Sequence, residues 1–162
     1  MTSCRQHFLE PLILRLRDAI AYGVYQRQRE LSDDEIDSTL ERIHETFSKE
    51  SEDDPALRLE VARTVAGHKF KLLGRRSNDF DVVSDLHQKV LALGFSNLME
   101  EGTVGIFHAM HCIRFDRISE AKALLEELLQ KADDRTSGPS SVRRELSMDA
   151  TRLLAELSRK GG

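Results

Sequence analysis

His108, His111 and Cys112 bring two imidazoles and a thiol onto little more than one turn of a helix, where residues three and four apart are neighbours. Imidazole and thiolate donors suit zinc or copper, so the trio predicts a candidate metal site. A tetrahedral centre needs a fourth ligand, and His68 and His87 are the donors the sequence offers on neighbouring helices. The competing reading is structural: one histidine at a core edge, one exposed, and one buried thiol of a residue type that is often buried. A Cys112–His108 nucleophilic pair would further require a lowered thiol pKa and a third, orienting group. The spacing of four permits contact and supplies neither.

Other catalytic patterns are missing from the sequence. Asp33, Asp34, Glu35 and Asp37 form an acidic cluster, but they lack the alternating oxygen ligands and central glycine of a calcium loop. Carboxylates at a helix start are explained by capping and by the partial positive charge there. The chain has no phosphate loop, no glycine-rich dinucleotide fingerprint and no Gly-x-Ser-x-Gly elbow. Neither a cofactor nor an enzymatic activity is expected.

The elements that would position these residues follow from composition and periodicity. At 162 residues and 40% hydrophobic, the chain can build one cored domain over 1–162. The most apolar segment, Phe8 to Tyr25, is interrupted by Arg15, Arg17 and Asp18, too soon for a bilayer span. The N-terminus lacks the order of a secretory signal, and Cys4 and Cys112 fit free thiols in a reducing compartment, so a soluble, cytoplasmic protein is expected. Residues 31–60 hold eleven acids and three bases, while the richest basic cluster is only Lys69, Lys71, Arg75 and Arg76. Nucleic-acid binding is therefore not expected.

Apolar spacing predicts an all-α fold. A first helix is expected over about Phe8 to Arg29, its apolar face wide enough for burial on more than one side or for self-association of the chain through residues 8–25. Ser32 to Glu35 reads as a capping box opening a second helix, and Asp54-Pro55 opens a third that Gly74 should end. A fourth helix is predicted from Phe80 to Leu93. A fifth should run to Phe115 with a break near Gly102, because Gly102 and Gly105 both weaken a helix. A sixth starts at Ile118, and a last one follows the Gly138-Pro139 turn, fraying beyond Arg159. About seven antiparallel helices result, as an N-terminal pair over 1–50, two hairpins over 55–134 and a C-terminal helix over 140–160.

Within Gly102 to Asp134, Ala109 stands at a small-residue position, a short turn follows, and Ile118, Glu120, Ala121 and Leu125 are spaced as in a second helix. This segment resembles a tetratricopeptide unit. Val61 to Leu93 resembles a weaker second copy, with Gly67 as the small residue and Phe70 as the aromatic. The resemblance implies a right-handed array of three helix-turn-helix hairpins with a C-terminal capping helix; an irregular helical bundle is the other architecture the pattern allows. It further implies a concave groove for a peptide or a partner's helix. Ile106, Met110, Ile113 and Arg114 would line it in one unit and His68, Lys71 and Leu72 in another, giving an apolar groove with a basic edge. Thr103 and Phe107 stand where the family's carboxylate clamp needs bases, so chaperone C-terminal tails are not the expected ligand. The expected function is a non-enzymatic adaptor or scaffold that binds a protein or peptide partner. The alternatives are a small helical metal protein using His108, His111 and Cys112, or a self-associating bundle.

Overall fold

The computed structural model describes residues 10–161, and in it the chain is all-α, with no strand among the described residues. It divides into two compact units, one ending at Arg76 and the other beginning at Ser77. That division falls inside the 61–93 segment read from the sequence as one repeat, because its first helix packs within the first unit.

In the first unit, helix α1 spans Pro11–Gly23, α2 Asp33–Glu50 and α3 Pro55–Arg76. Pro11 occupies the first turn of α1, where its missing N–H costs nothing. The helix stops at Gly23, earlier than periodicity suggested, and passes into one 3-10 turn over Tyr25–Arg27. Arg76 fastens the link that follows. Its guanidinium donates to the carbonyls of Gln28 at 2.8 Å and Leu31 at 2.7 Å, and pairs with Asp33 at 2.7 Å. The capping box at Ser32 forms in both directions: Ser32 Oγ accepts from the Glu35 N–H, and the Glu35 carboxylate accepts from the Ser32 N–H. Asp54 Oδ1 accepts from the Leu57 N–H at the start of α3. This helix runs on through Gly74 to Arg76 instead of ending at the glycine.

Leu12, Ile13, Leu16, Ile20 and Val24 are all buried, joined by Ile36 and Leu40 of α2 and Val61, Val65 and Leu72 of α3. Much of the apolar face of α1 is thus taken up within its own unit, while Leu14 and Tyr22 stay 46% and 63% exposed; of the segment 8–25, Phe8 and Leu9 lie outside the described residues.

In the second unit, α4 spans Phe80–Leu93, α5 Leu98–Arg114, α6 Ile118–Asp133 and α7 Ser140–Gly161. Asp79 caps α4, and Gly94 follows it with φ of 73°, a left-handed value that favours glycine. Helix α5 is unbroken through Gly102 and Gly105, contrary to the expected interruption. The reason is close packing: a β-carbon at Gly105 would lie 2.8 Å from Leu128 Cδ2, and one at Gly102 would lie 3.2 Å from Leu146 Cδ1. Glycine lets α6 and α7 approach the α5 backbone, and burial offsets the helix-propensity loss. The α5–α6 turn is a Schellman motif, with the Arg117 N–H donating to Cys112 O at 2.7 Å, the Asp116 N–H to Ile113 O at 3.0 Å, and Asp116 left-handed at φ 59°. Ala109, Cys112, Ala121, Leu125, Ala150 and Leu157 fill the core where α5, α6 and α7 meet.

Two glycines test this packing with opposite signs. Gly105→Ala should lower the unfolding midpoint, because moving both Leu128 methyls in a packed core costs about 1–3 kcal/mol against a propensity gain of at most ~1. Gly67→Ala, with open space around the new carbon in the middle of α3, should raise it by roughly 0.5–1 kcal/mol. Urea denaturation of both variants checks the pair, and equal shifts would contradict it.

Candidate functional site

The structure distributes the sequence-predicted residues by burial. Leu72 is 2% exposed and belongs to the core of the first unit, not to a surface. His68, half-buried on α3, lies with Nδ1 2.6 Å from the Tyr25 hydroxyl, and the two rings meet edge to face with centroids 5.4 Å apart. Burial, with repulsion from Lys71 and Arg17, pushes the His68 imidazole down to about 4. It is neutral at pH 7, and its Nδ1 shares one hydrogen bond with the phenol. Lys71 is half-buried beside it. Two members of the basic cluster Lys69, Lys71, Arg75 and Arg76 are drawn into ion pairs nearby, Lys69 with Asp37 at 3.0 Å and with Glu41, and Arg76 with Asp33.

On α5, Ile113 packs against the core of the second unit and Met110 is 47% exposed. Arg114 donates to Ser77 O at 2.8 Å, stands over the Phe115 ring at 4.6 Å, and has one guanidinium nitrogen 3.5 Å from His111 Nδ1. It holds the α4 entry to the end of α5. Arg117 over the Phe80 ring at 3.8 Å and the Phe80–Phe115 edge contact at 5.4 Å serve the same junction.

The His108, His111 and Cys112 trio does not converge. Among the described residues no group of three His, Cys, Asp or Glu side chains is arranged to hold a metal ion. Cys112 points into the α5–α6–α7 core with no exposure, and burial pushes its thiol up to about 11, away from thiolate character. His108 instead stacks on His87 of α4, with centroids 3.7 Å apart and planes 27° from parallel. Burial first, then His108 and His111, pushes His87 down to about 4, and burial lowers His108 despite the opposing charge of Glu120. This ring stack joins α4 to α5. Next to them, Leu91, Phe95, Val104 and Leu128 wall a cavity of about 290 Å³, with Lys131 and Glu101 paired at 2.5 Å along its edge.

The larger cavity, about 330 Å³, opens between α5 and α7. From α5 it is lined by Leu98, Gly102 and Ile106 with Met99, Thr103 and Phe107, and from α7 by Val142, Glu145, Leu146 and Asp149. Each set repeats at helical spacing, so two parallel stripes of side chains flank a trough whose floor is set by Gly102 against Leu146. Of the groove residues the sequence named on α5, Ile106 lines this trough as a buried member of the core, and Met110, Ile113 and Arg114 do not line it. The α7 wall was missed as a site, although Val142 and Leu146 were legible as a core stripe and Glu145 and Asp149 as carboxylates four apart on its flank. The expected basic edge is replaced here by those two acids.

No family model matches the chain, and neither a curated protein nor a solved structure matches it. Among the described residues, no helix is long and apolar enough to cross a membrane.

The buried histidines predict an acid-sensitive fold. Unfolded imidazoles take up protons near 6.5, whereas His68 and His87 resist until about 4, so the unfolded state binds more protons between those values. Stability is therefore full above about pH 6.5 and falls as pH drops towards 4. Urea midpoints measured across that window should decline in the wild type and decline less in His68→Gln and His87→Gln. Slopes unchanged by both substitutions would contradict the assignment.

Proposed function

We propose that the chain is a non-enzymatic interaction module that receives a peptide or a partner's helix in the trough between α5 and α7. One observation carries this: two helical stripes, Leu98 to Phe107 and Val142 to Asp149, flank an open apolar cavity of about 330 Å³. A helix laid into a groove between two helices buries its apolar face by the same packing that holds a bundle together. An exposed methionine supports the reading: Met99, on the groove itself, is 55% exposed, and its flexible, polarizable side chain adapts to an incoming surface. The tetratricopeptide-like expectation enters here as well, since Ala109, read at the small-residue position of its first helix, is fully buried.

A library of helix-forming peptides, displayed on phage and selected against the whole chain, tests the proposal. It should enrich apolar residues three and four apart. Thr103→Arg places a long charged side chain at a half-buried position on the trough, and should weaken the selected peptides by about tenfold or more, roughly 1.4 kcal/mol, while circular dichroism and the thermal midpoint stay unchanged. Selection of no helical pattern, or full binding by the variant, would overturn it.

A further inference from the structure

Resting on the groove reading above, we infer that the occupant is a short basic amphipathic helix, whose apolar stripe fills the trough and whose lysines or arginines meet Glu145 and Asp149. The wall chemistry carries this choice. Eight of the ten side chains around the cavity are apolar, small or neutral, the other two are carboxylates, and none is a base. Glu145 and Asp149 lie four residues apart on α7, which makes them neighbours of like charge on one flank of the trough. Asp149 has Arg152 at 3.5 Å, one turn further along the same helix. A cation from the occupant gains attraction from Glu145 and, in competition with Arg152, from Asp149, and an acidic occupant meets repulsion at Glu145.

Length narrows the class further. At 1.5 Å per residue, Leu98 to Phe107 spans about 14 Å and Val142 to Asp149 about 10 Å. Two to three turns of a partner helix cover that distance, with anchors at i, i+3 or i+4, and i+7. The cavity is about twice the size of one that admits a single benzene ring, so it takes two bulky side chains, leucine or phenylalanine, from adjacent turns. The basic residues then fall one turn apart on the flank facing α7.

Three synthetic helical peptides with the same apolar stripe, carrying paired lysines, paired glutamines or paired glutamates on that flank, supply the test by fluorescence anisotropy against the whole chain. The lysine peptide should bind at least tenfold tighter than the glutamate peptide, with the glutamine peptide between them, and its advantage should shrink as salt is raised. Glu145→Lys with Asp149→Lys should invert the order. Should that variant fail to fold, the neutral pair Glu145→Gln with Asp149→Asn should abolish the preference. Equal binding of all three peptides would overturn the charge inference and leave the groove reading intact. Binding of none would overturn both, as would a chain that sediments as a dimer without peptide and becomes monomeric when Thr103→Arg blocks the trough.

Discussion

Helix α5 can lie against both α6 and α7 because Gly102 and Gly105 offer backbone where other residues would offer side chains. The Leu128 methyls seat over Gly105 and those of Leu146 over Gly102, at distances a β-carbon would not tolerate without displacing them. Much of the second unit follows from this approach. It brings Ala109, Cys112, Ala121 and Ala150 into a core with no exposure, and it sets the depth of the trough whose walls continue to Phe107 and Asp149. Packed interiors respond to single methyl groups, so the same two positions govern both the stability of the unit and the shape it presents.

Ion pairs link helices in both units, with Lys131 of α6 meeting Glu101 of α5 in the second. In the first, the acidic run that begins with α2 is answered from α3 and α1: Lys69 reaches Asp37 and Glu41, Arg76 reaches Asp33, and Arg15 reaches Glu50 at 2.6 Å. Exposed pairs of this sort add little stability each, yet Arg76 also holds two loop carbonyls and so fixes the approach to α2. In the second unit, Glu145 and Asp149 flank an apolar trough, where water exclusion by a ligand would strengthen any contact they make.

The helices were legible where local chemistry marks their ends. Ser32 with Glu35, Asp54 with Pro55, and Phe80 to Leu93 before Gly94 all appear as the sequence implies, because caps and glycine stops act within a few residues. Gly102 misled for the opposite reason. Its intrinsic preference argues for a break, and the gain from close packing on Leu146 depends on a helix more than forty residues away. Leu72 illustrates the same limit at the level of the site: periodicity placed it on a helix face, but only tertiary packing shows that face to be core. His108, His111 and Cys112 are not brought together, because placement within one turn of a helix does not make side chains converge. Cys112 faces the α6–α7 core, while His108 turns to His87 on α4. Of the groove, Ile106 was legible and the α7 wall was not, since pairing α5 with α7 is a non-local choice.

The account stands or falls on where a helix binds. Amide chemical-shift mapping of the isotopically labelled chain, titrated with the lysine-bearing peptide, reads this directly. Perturbations concentrated on Leu98 to Phe107 and Val142 to Asp149, with residues 10–76 unmoved, are the predicted result. Saturable shifts confined to other residues, around the His87–His108 stack or on α3, would show that the trough between α5 and α7 is not the site.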